Sequence, residues 1–179
     1  MQNETIIAGF GGQGVLFAGK LLAHAGLHAG REVTWLPSYG PEMRGGTANC
    51  TVIIADSEIG SPQVRNPKAA IVLNQPSLDK YEPLVQSGGY LVVNQSMVNR
   101  EAKRKDIHII SIPGTEAAEA LGDKRLTNMV LLGGLVKNTD FVSLEAVEQA
   151  LEKESSEKQR KLLELNVKAL RKGAEFSEK

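Results

Sequence analysis

The stretch Thr5-Ile6-Ile7-Ala8-Gly9-Phe10-Gly11-Gly12-Gln13-Gly14-Val15 decides how the rest of the chain is read. A short β-branched run over residues 5–8 enters a glycine cluster. From Val15 to about residue 29 the apolar positions Val15, Ala18, Leu22 and Ala25 then recur three and four apart. That change of period predicts a strand, a tight turn and a helix. Gly9, Gly11 and Gly14 satisfy G-x-G-x-x-G where that motif has physical meaning, between strand and helix. Glycine accepts positive φ, and its missing Cβ lets a phosphate approach the N–H groups at the helix start. Gly30 is a plausible stop for the helix.

Beyond the helix, residues 33–36 read as a second strand and residues 37–46 as a loop rich in Gly and Pro. Further apolar runs predict strands over 51–54, 70–73, 90–93 and 108–112, the last ended by Pro113-Gly114. Residues 77–86 read as a helix opened by Pro76, a residue favoured in first helical turns. After residue 113 the chain reads as helix over 116–121, 127–136, 144–151 and 157–172. Strands separated by helical stretches predict a three-layer, Rossmann-like α/β domain, its mostly parallel sheet flanked by helices. The strand at Thr51 follows a loop rather than a helix, so the sheet is expected to be mixed. No linker, repeat or low-complexity tract interrupts the chain, and residues 1–179 are read as a single domain.

The dinucleotide fingerprint needs a second half, an acidic residue about 20 positions on at the end of the second strand. Here that strand ends in Trp35-Leu36-Pro37-Ser38, and Glu32 lies at its wrong end. The NAD reading therefore fails on its ribose contact. The glycines remain open to two readings, a phosphate or pyrophosphate contact and a tight turn with close packing.

Composition narrows the function further. Lys and Arg number 21 and Asp and Glu 21, so no net field gathers nucleic acid or an anionic membrane. Cys50 is the only cysteine, which excludes an internal disulfide and a cysteine-ligated iron–sulfur cluster. His24, His28 and His108 lack metal-site spacing, and no metal ligand set is expected. Residues 1–5 carry neither the basic nor the apolar region of a signal peptide, and no apolar run nears the ~20 residues that cross a bilayer. The expectation is a soluble cytoplasmic protein. A chain of 179 residues can bury roughly 70% of its unfolded surface without covalent staples.

Four blocks of sequence resemble one family. Gly-Gly-Gln-Gly at 11–14 leads to Ser38-Tyr39-Gly40-Pro41-Glu42-Met43-Arg44-Gly45-Gly46. Asn74-Gln75-Pro76-Ser77-Leu78-Asp79-Lys80-Tyr81 follows, then Thr127-Asn128-Met129, and finally the spaced set Asn166, Ala169 and Gly173. In this order the blocks look like the gamma subunits of 2-oxoacid:ferredoxin oxidoreductases, among which 2-oxoglutarate enzymes are the most similar, with branched-chain 2-oxoacid, pyruvate and arylpyruvate relatives close behind. The resemblance implies a multi-subunit oxidoreductase that decarboxylates a 2-oxoacid, forms an acyl-CoA and reduces ferredoxin. It implies thiamine diphosphate, magnesium and iron–sulfur clusters held mainly by alpha, beta and possibly delta subunits. It implies a gamma chain that packs on the thiamine-binding core and assists coenzyme A. The residues agree by subtraction, since no Gly-Asp-Gly followed by paired asparagines is present to hold a thiamine diphosphate–magnesium group. No catalytic residue is expected in this chain.

The candidate binding residues are Gly11, Gly12, Gln13 and Gly14 through their N–H groups, with Tyr39, Arg44, Asn74, Thr127 and Asn128. Arg44 between glycines suits bidentate pairing with a phosphate or carboxylate, or a surface salt bridge to Glu42. Tyr39 suits a ligand wall or an interface anchor. Asn74, Gln75 and Ser77 lie just past a strand's carboxyl end, where open α/β sheets place ligands, while Ser77 also suits a helix cap. Thr127 and Asn128 carry the same two options. Met129, Leu131 and Leu132 are read as core, and Lys20 as solvated. Two other functions remain open, a free-standing reductase using NAD(P) or flavin at the glycine turn and a non-enzymatic binding module.

Overall fold

The computed structural model describes residues 1–39, 46–154 and 160–177. Six strands form one sheet: β1 (Gln2–Phe10), β2 (Glu32–Tyr39), β3 (Thr47–Ala55), β4 (Ala69–Val72), β5 (Tyr90–Asn94) and β6 (His108–Ile112). Their order is β2-β3-β1-β4-β5-β6. Strand β3 runs antiparallel to both β2 and β1, whereas β1, β4, β5 and β6 pair in parallel. The sheet is therefore mixed and mostly parallel, with β3 supplying the antiparallel pairing expected of a strand that follows a loop.

Helices α1 (Val15–His28), α3 (Gly114–Ala120), α4 (Thr127–Asn138), α5 (Leu144–Glu154) and α6 (Arg160–Gly173) join the core on one face. Helix α2 (Gln75–Tyr81) and the 3₁₀ turn Glu82–Leu84 lie on the other. Alternation along the strands divides the core between these layers. Ile7, Ile71, Val92 and Ile110 point to the five-helix side, and Ile6, Ala70, Leu91 and Val93 to the α2 side. Met129, Leu131 and Leu132 are fully buried, as expected of core.

Several boundaries differ from expectation for local reasons. Strand β2 runs through Pro37 to Tyr39, although residues 37–46 were read as a loop. Pro37 is tolerated because β2 is an edge strand. The helix expected over 77–86 begins at Gln75 and ends at Tyr81, where the chain tightens into the 3₁₀ turn around Pro83. Helix α1 stops at His28 and Gly30 takes φ 73°, so glycine does end it. Lys20 is not simply solvated: its Nζ lies 2.6 Å from Glu154, which also meets His24 Nδ1 at 3.0 Å. The helix expected over 157–172 is described from Arg160 onward, and residues 157–159 lie outside the described residues.

Helix α4 approaches α6 backbone to backbone. A Cβ on Gly173 would strike the Val130 carbonyl, and one on Gly133 the Leu170 carbonyl. Gly173, from the fourth block, thus lies on a helix–helix contact, and Ala169 and Asn166, about one and two turns earlier on α6, are buried.

The β5–β6 crossover carries no α-helix, only a 3₁₀ turn at Gln95–Met97. Glu82, 4% exposed, pins this crossover to the α2 layer. Its carboxylate accepts from Arg100 Nη1 at 2.8 Å and from the backbone N–H groups of Lys103 and Arg104.

Candidate functional site

Strand β1 delivers the chain to the carboxyl edge of the sheet, and the turn from Gly11 to Gly14 reverses it into α1. Gly12 and Gly14 take φ 94° and 73°, the left-handed region where a side chain is strained. Two of the four expected N–H donors are engaged inside the protein. Gly11 N–H donates to Gly46 O at 2.9 Å and Gln13 N–H to Phe10 O at 3.2 Å, so neither is presented to a ligand. The N–H groups of Gly12 and Gly14 make no hydrogen bond among the described residues. Among the described residues no side chain caps α1, and no acidic residue stands in its first turn. Among the described residues the helix start therefore keeps unpaired donors and its partial positive charge.

The other glycines of the motif are explained by the protein's own amides. Gln13 folds inward, and its Oε1 accepts from Phe10 N–H at 2.6 Å and from Asn74 Nδ2 at 3.2 Å. A Cβ at Gly9 would sit 2.6 Å from that same Oε1. Asn128 reaches from α4 and donates to Gly14 O at 3.0 Å, and a Cβ at Gly14 would overlap its amide. The Gln13–Asn74 pair bridges the carboxyl ends of β1 and β4. There the connections diverge to opposite sides of the sheet, the usual ligand crevice of such folds.

Asn74, Thr127 and Asn128 thus have internal roles. Asn74 caps α2 by accepting from Ser77 N–H at 3.0 Å. The capping role read for Ser77 belongs to Asn74, because Ser77 lies one turn too late, inside the helix. Thr127 Oγ1 donates to Lys124 O at 2.7 Å, and Asn128 Oδ1 accepts from Met129 N–H at 2.9 Å. Only the backbone of Tyr39 is described, ending β2. Arg44 and Glu42 lie outside the described residues.

Two hollows border the turn. One of about 470 Å³ is mostly apolar, walled by Phe10, Val15, Leu16, Phe17, Thr47 and Ala48. The second, about 320 Å³, includes Gln13, Leu73, Met97, Thr115, Lys124 and Arg125. Phe17 and Met97 stand 42% and 43% exposed at their rims. The sequence reading missed Phe17, Met97, Lys124 and Arg125. The basic pair just before the Thr127-Asn128 block was the available signal. Arg125 already pairs bidentately with Asp123 at 2.6–3.0 Å.

Glu32 pairs with Ala55, which pairs with Gln2, whereas the turn follows Phe10 at the other end of β1. Eight residues at ~3.4 Å each put Glu32 roughly 27 Å from the turn. Moreover, β3 separates β2 from β1, so this acid cannot reach a ribose held at the glycines. Cys50 is buried, with Sγ 3.6 Å from Val15 O. Burial pushes its thiol up to about 12. It stays protonated at neutral pH, and one such thiol does not fit an iron–sulfur cluster. Among the described residues no group of His, Cys, Asp and Glu could hold a metal ion. Among them also, no helix is long and apolar enough to cross a membrane.

Fold and turn together define a Rossmann-like α/β domain in which Glu32, the acid nearest the expected spacing, lies far from the glycine turn. The chain belongs to the pyruvate ferredoxin/flavodoxin oxidoreductase family, whose description matches residues 4–176. It is 37% identical over 174 residues to the ketoisovalerate oxidoreductase subunit VorA of Methanothermobacter marburgensis. That alignment covers 97% of this chain but only 36% of VorA, so the chain spans about a third of that relative's length. It is 36% identical over 154 residues to the 2-oxoglutarate synthase subunit KorC of Methanocaldococcus jannaschii, covering 84% of this chain and 82% of KorC. The crystal structure of the keto/oxoacid ferredoxin oxidoreductase gamma subunit from Geobacter sulfurreducens matches with TM-score 0.85 and 31% identity. It covers 98% of this chain and 95% of that one.

Proposed function

We propose that this chain is the gamma subunit of a multi-subunit 2-oxoacid:ferredoxin oxidoreductase, with 2-oxoglutarate as substrate. In this reading it packs on the thiamine-binding core and assists coenzyme A. The observation that carries the reading is the end-to-end match to a stand-alone gamma subunit, in sequence and in fold. The choice of 2-oxoglutarate is supported by the match to KorC over most of both chains, whereas VorA is nearly three times as long as the aligned segment.

The coenzyme A role rests on the turn. The donors left at Gly12, Gly14 and the head of α1 suit a phosphate, and the apolar hollow beside them suits a group with little charge. A helix start contributes only ~0.3–2 kcal/mol to an anion, so other subunits supply most of the affinity. The single buried cysteine cannot ligate a cluster, so the iron–sulfur chemistry belongs to partner subunits, and in this reading the thiamine chemistry does too. The soluble, cytoplasmic setting and the ferredoxin acceptor are part of the same proposal.

The test is to tag the chain in its native host, purify it under anoxic conditions and identify what accompanies it. The eluate is assayed for coenzyme A-dependent viologen reduction with a panel of 2-oxoacids. Recovery of thiamine-binding and iron–sulfur subunits, with activity on 2-oxoglutarate, supports the proposal. Activity confined to a branched-chain acid or pyruvate reassigns the substrate. A chain that elutes alone and binds NAD(P) overturns it.

A further inference from the structure

We infer that Gln13 and Asn128 are positioning residues, which hold the glycine turn from two sides in one ligand-ready shape. The inference rests on the proposed meeting of this turn with coenzyme A, but the positioning can be measured without it. A Gly-Gly-Gln-Gly turn is by itself conformationally loose, because glycine loses more backbone freedom on ordering than any other residue. Donors that must meet a ligand gain from being fixed beforehand.

The structure supplies two clamps. Gln13 Oε1 takes Phe10 N–H at 2.6 Å on the strand side. It is itself held by Asn74 Nδ2 at 3.2 Å, whose Oδ1 caps α2. On the helix side Asn128, 5% exposed, donates to Gly14 O at 3.0 Å and accepts from Met129 N–H. Gly14 O also accepts Ala18 N–H at 3.0 Å, the first bond of α1. Residues far apart in sequence thus act on one turn, and Gly9 and Gly14 lack the Cβ atoms that would displace the two amides. Both side chains act directly on the backbone of the turn.

Gln13→Leu and Asn128→Leu keep the approximate volume and remove the clamps, whereas Gln13→Glu keeps the acceptor for Phe10 N–H and Asn74 Nδ2. Residue-resolved amide exchange is measured on the full chain, with Ile71 and Val72 in β4 as references for global stability. The expected result is exchange at least tenfold faster at Phe10 and Gln13 in Gln13→Leu, reversed in Gln13→Glu. Asn128→Leu should act similarly at Gln13 and Ala18. Unchanged turn exchange in both leucine variants overturns the inference. If Asn128→Leu does not fold, the Gln13→Leu and Gln13→Glu pair decides it alone.

Kinetics of the assembled enzyme then test the underlying reading. KM for coenzyme A should rise about tenfold in the leucine variants while KM for the 2-oxoacid moves less than twofold. A loosened turn with an unmoved KM for coenzyme A leaves the clamps standing and removes the coenzyme A role.

Discussion

Replacing Glu82 by glutamine should destabilise the chain by about 2 kcal/mol at neutral pH, and the loss should fade in acid. The carboxylate is 4% exposed and receives three hydrogen bonds, two from the backbone of the β5–β6 crossover and one from Arg100. An amide oxygen can still take the two backbone donors, but its NH₂ group then faces the guanidinium. A hydrogen bond to a charged group contributes roughly 1.5–3 kcal/mol. Arg100 keeps Asp79 at 2.7 Å and its side chain is 24% exposed, so the lower part of that range applies. For a chain of this size about 2 kcal/mol lowers Tm by about 4–8 °C.

The pH dependence has a definite sign. Burial alone would raise the Glu82 carboxyl, but the Arg100 and backbone hydrogen bonds outweigh it and hold the group below its usual 4.5. Between the folded and unfolded values the unfolded chain binds more protons. The stabilisation is therefore complete above the unfolded value and drains away as pH falls through the folded one. Thermal unfolding followed by circular dichroism at pH 7, 5 and 3.5 should give a gap that is full at the first two and narrower at the third. A gap below 1 °C at pH 7, or one that persists unchanged in acid, would refute the reasoning.

Gly173→Ala should cost about 1–3 kcal/mol, because the new methyl meets the Val130 carbonyl, a backbone atom that cannot rotate aside; urea unfolding of the full chain checks it. Asp106 should titrate near 2 by carbon-13 NMR, held down chiefly by its hydrogen bond from Arg104. In Arg104→Gln it should move back toward the ordinary carboxylate range. Cys50 should resist a thiol reagent at pH 8 in the native state and react on denaturation, since burial keeps it protonated; rapid native labelling would contradict the buried placement.

Much of the fold was legible in local pattern. Pro76 does lie in the first turn of α2, and Gly30 does follow the end of α1. The antiparallel β3 followed from a loop standing where a crossover helix would be. Errors arose where partners are distant in sequence, and where two near neighbours could fill the same role. Pro37 looked like a loop residue because nothing local says that β2 lies at a sheet edge. Ser77 looked like a cap because the residue type is right, yet the capping oxygen belongs to Asn74. The glycine turn stayed open to a phosphate contact or a tight turn with close packing, because a motif does not disclose that Gly46 O and Phe10 O take two of its four N–H donors.

The sequence by itself determined the order of strands and helices, the place of the turn and the family, since period, punctuation and blocks of residues are properties of neighbours along the chain. It also excluded a cluster ligand set, because one cysteine is one cysteine in any fold. Only the tertiary structure decided which groups hold the motif. It carried Glu32 to the far end of the sheet and placed β3 between β2 and β1. It brought the amides of Gln13, Asn74 and Asn128 onto one turn. Those are hydrogen bonds and close approaches across 61 and 114 residues of chain. Local periodicity cannot encode them, and only the packed layers bring such groups within reach.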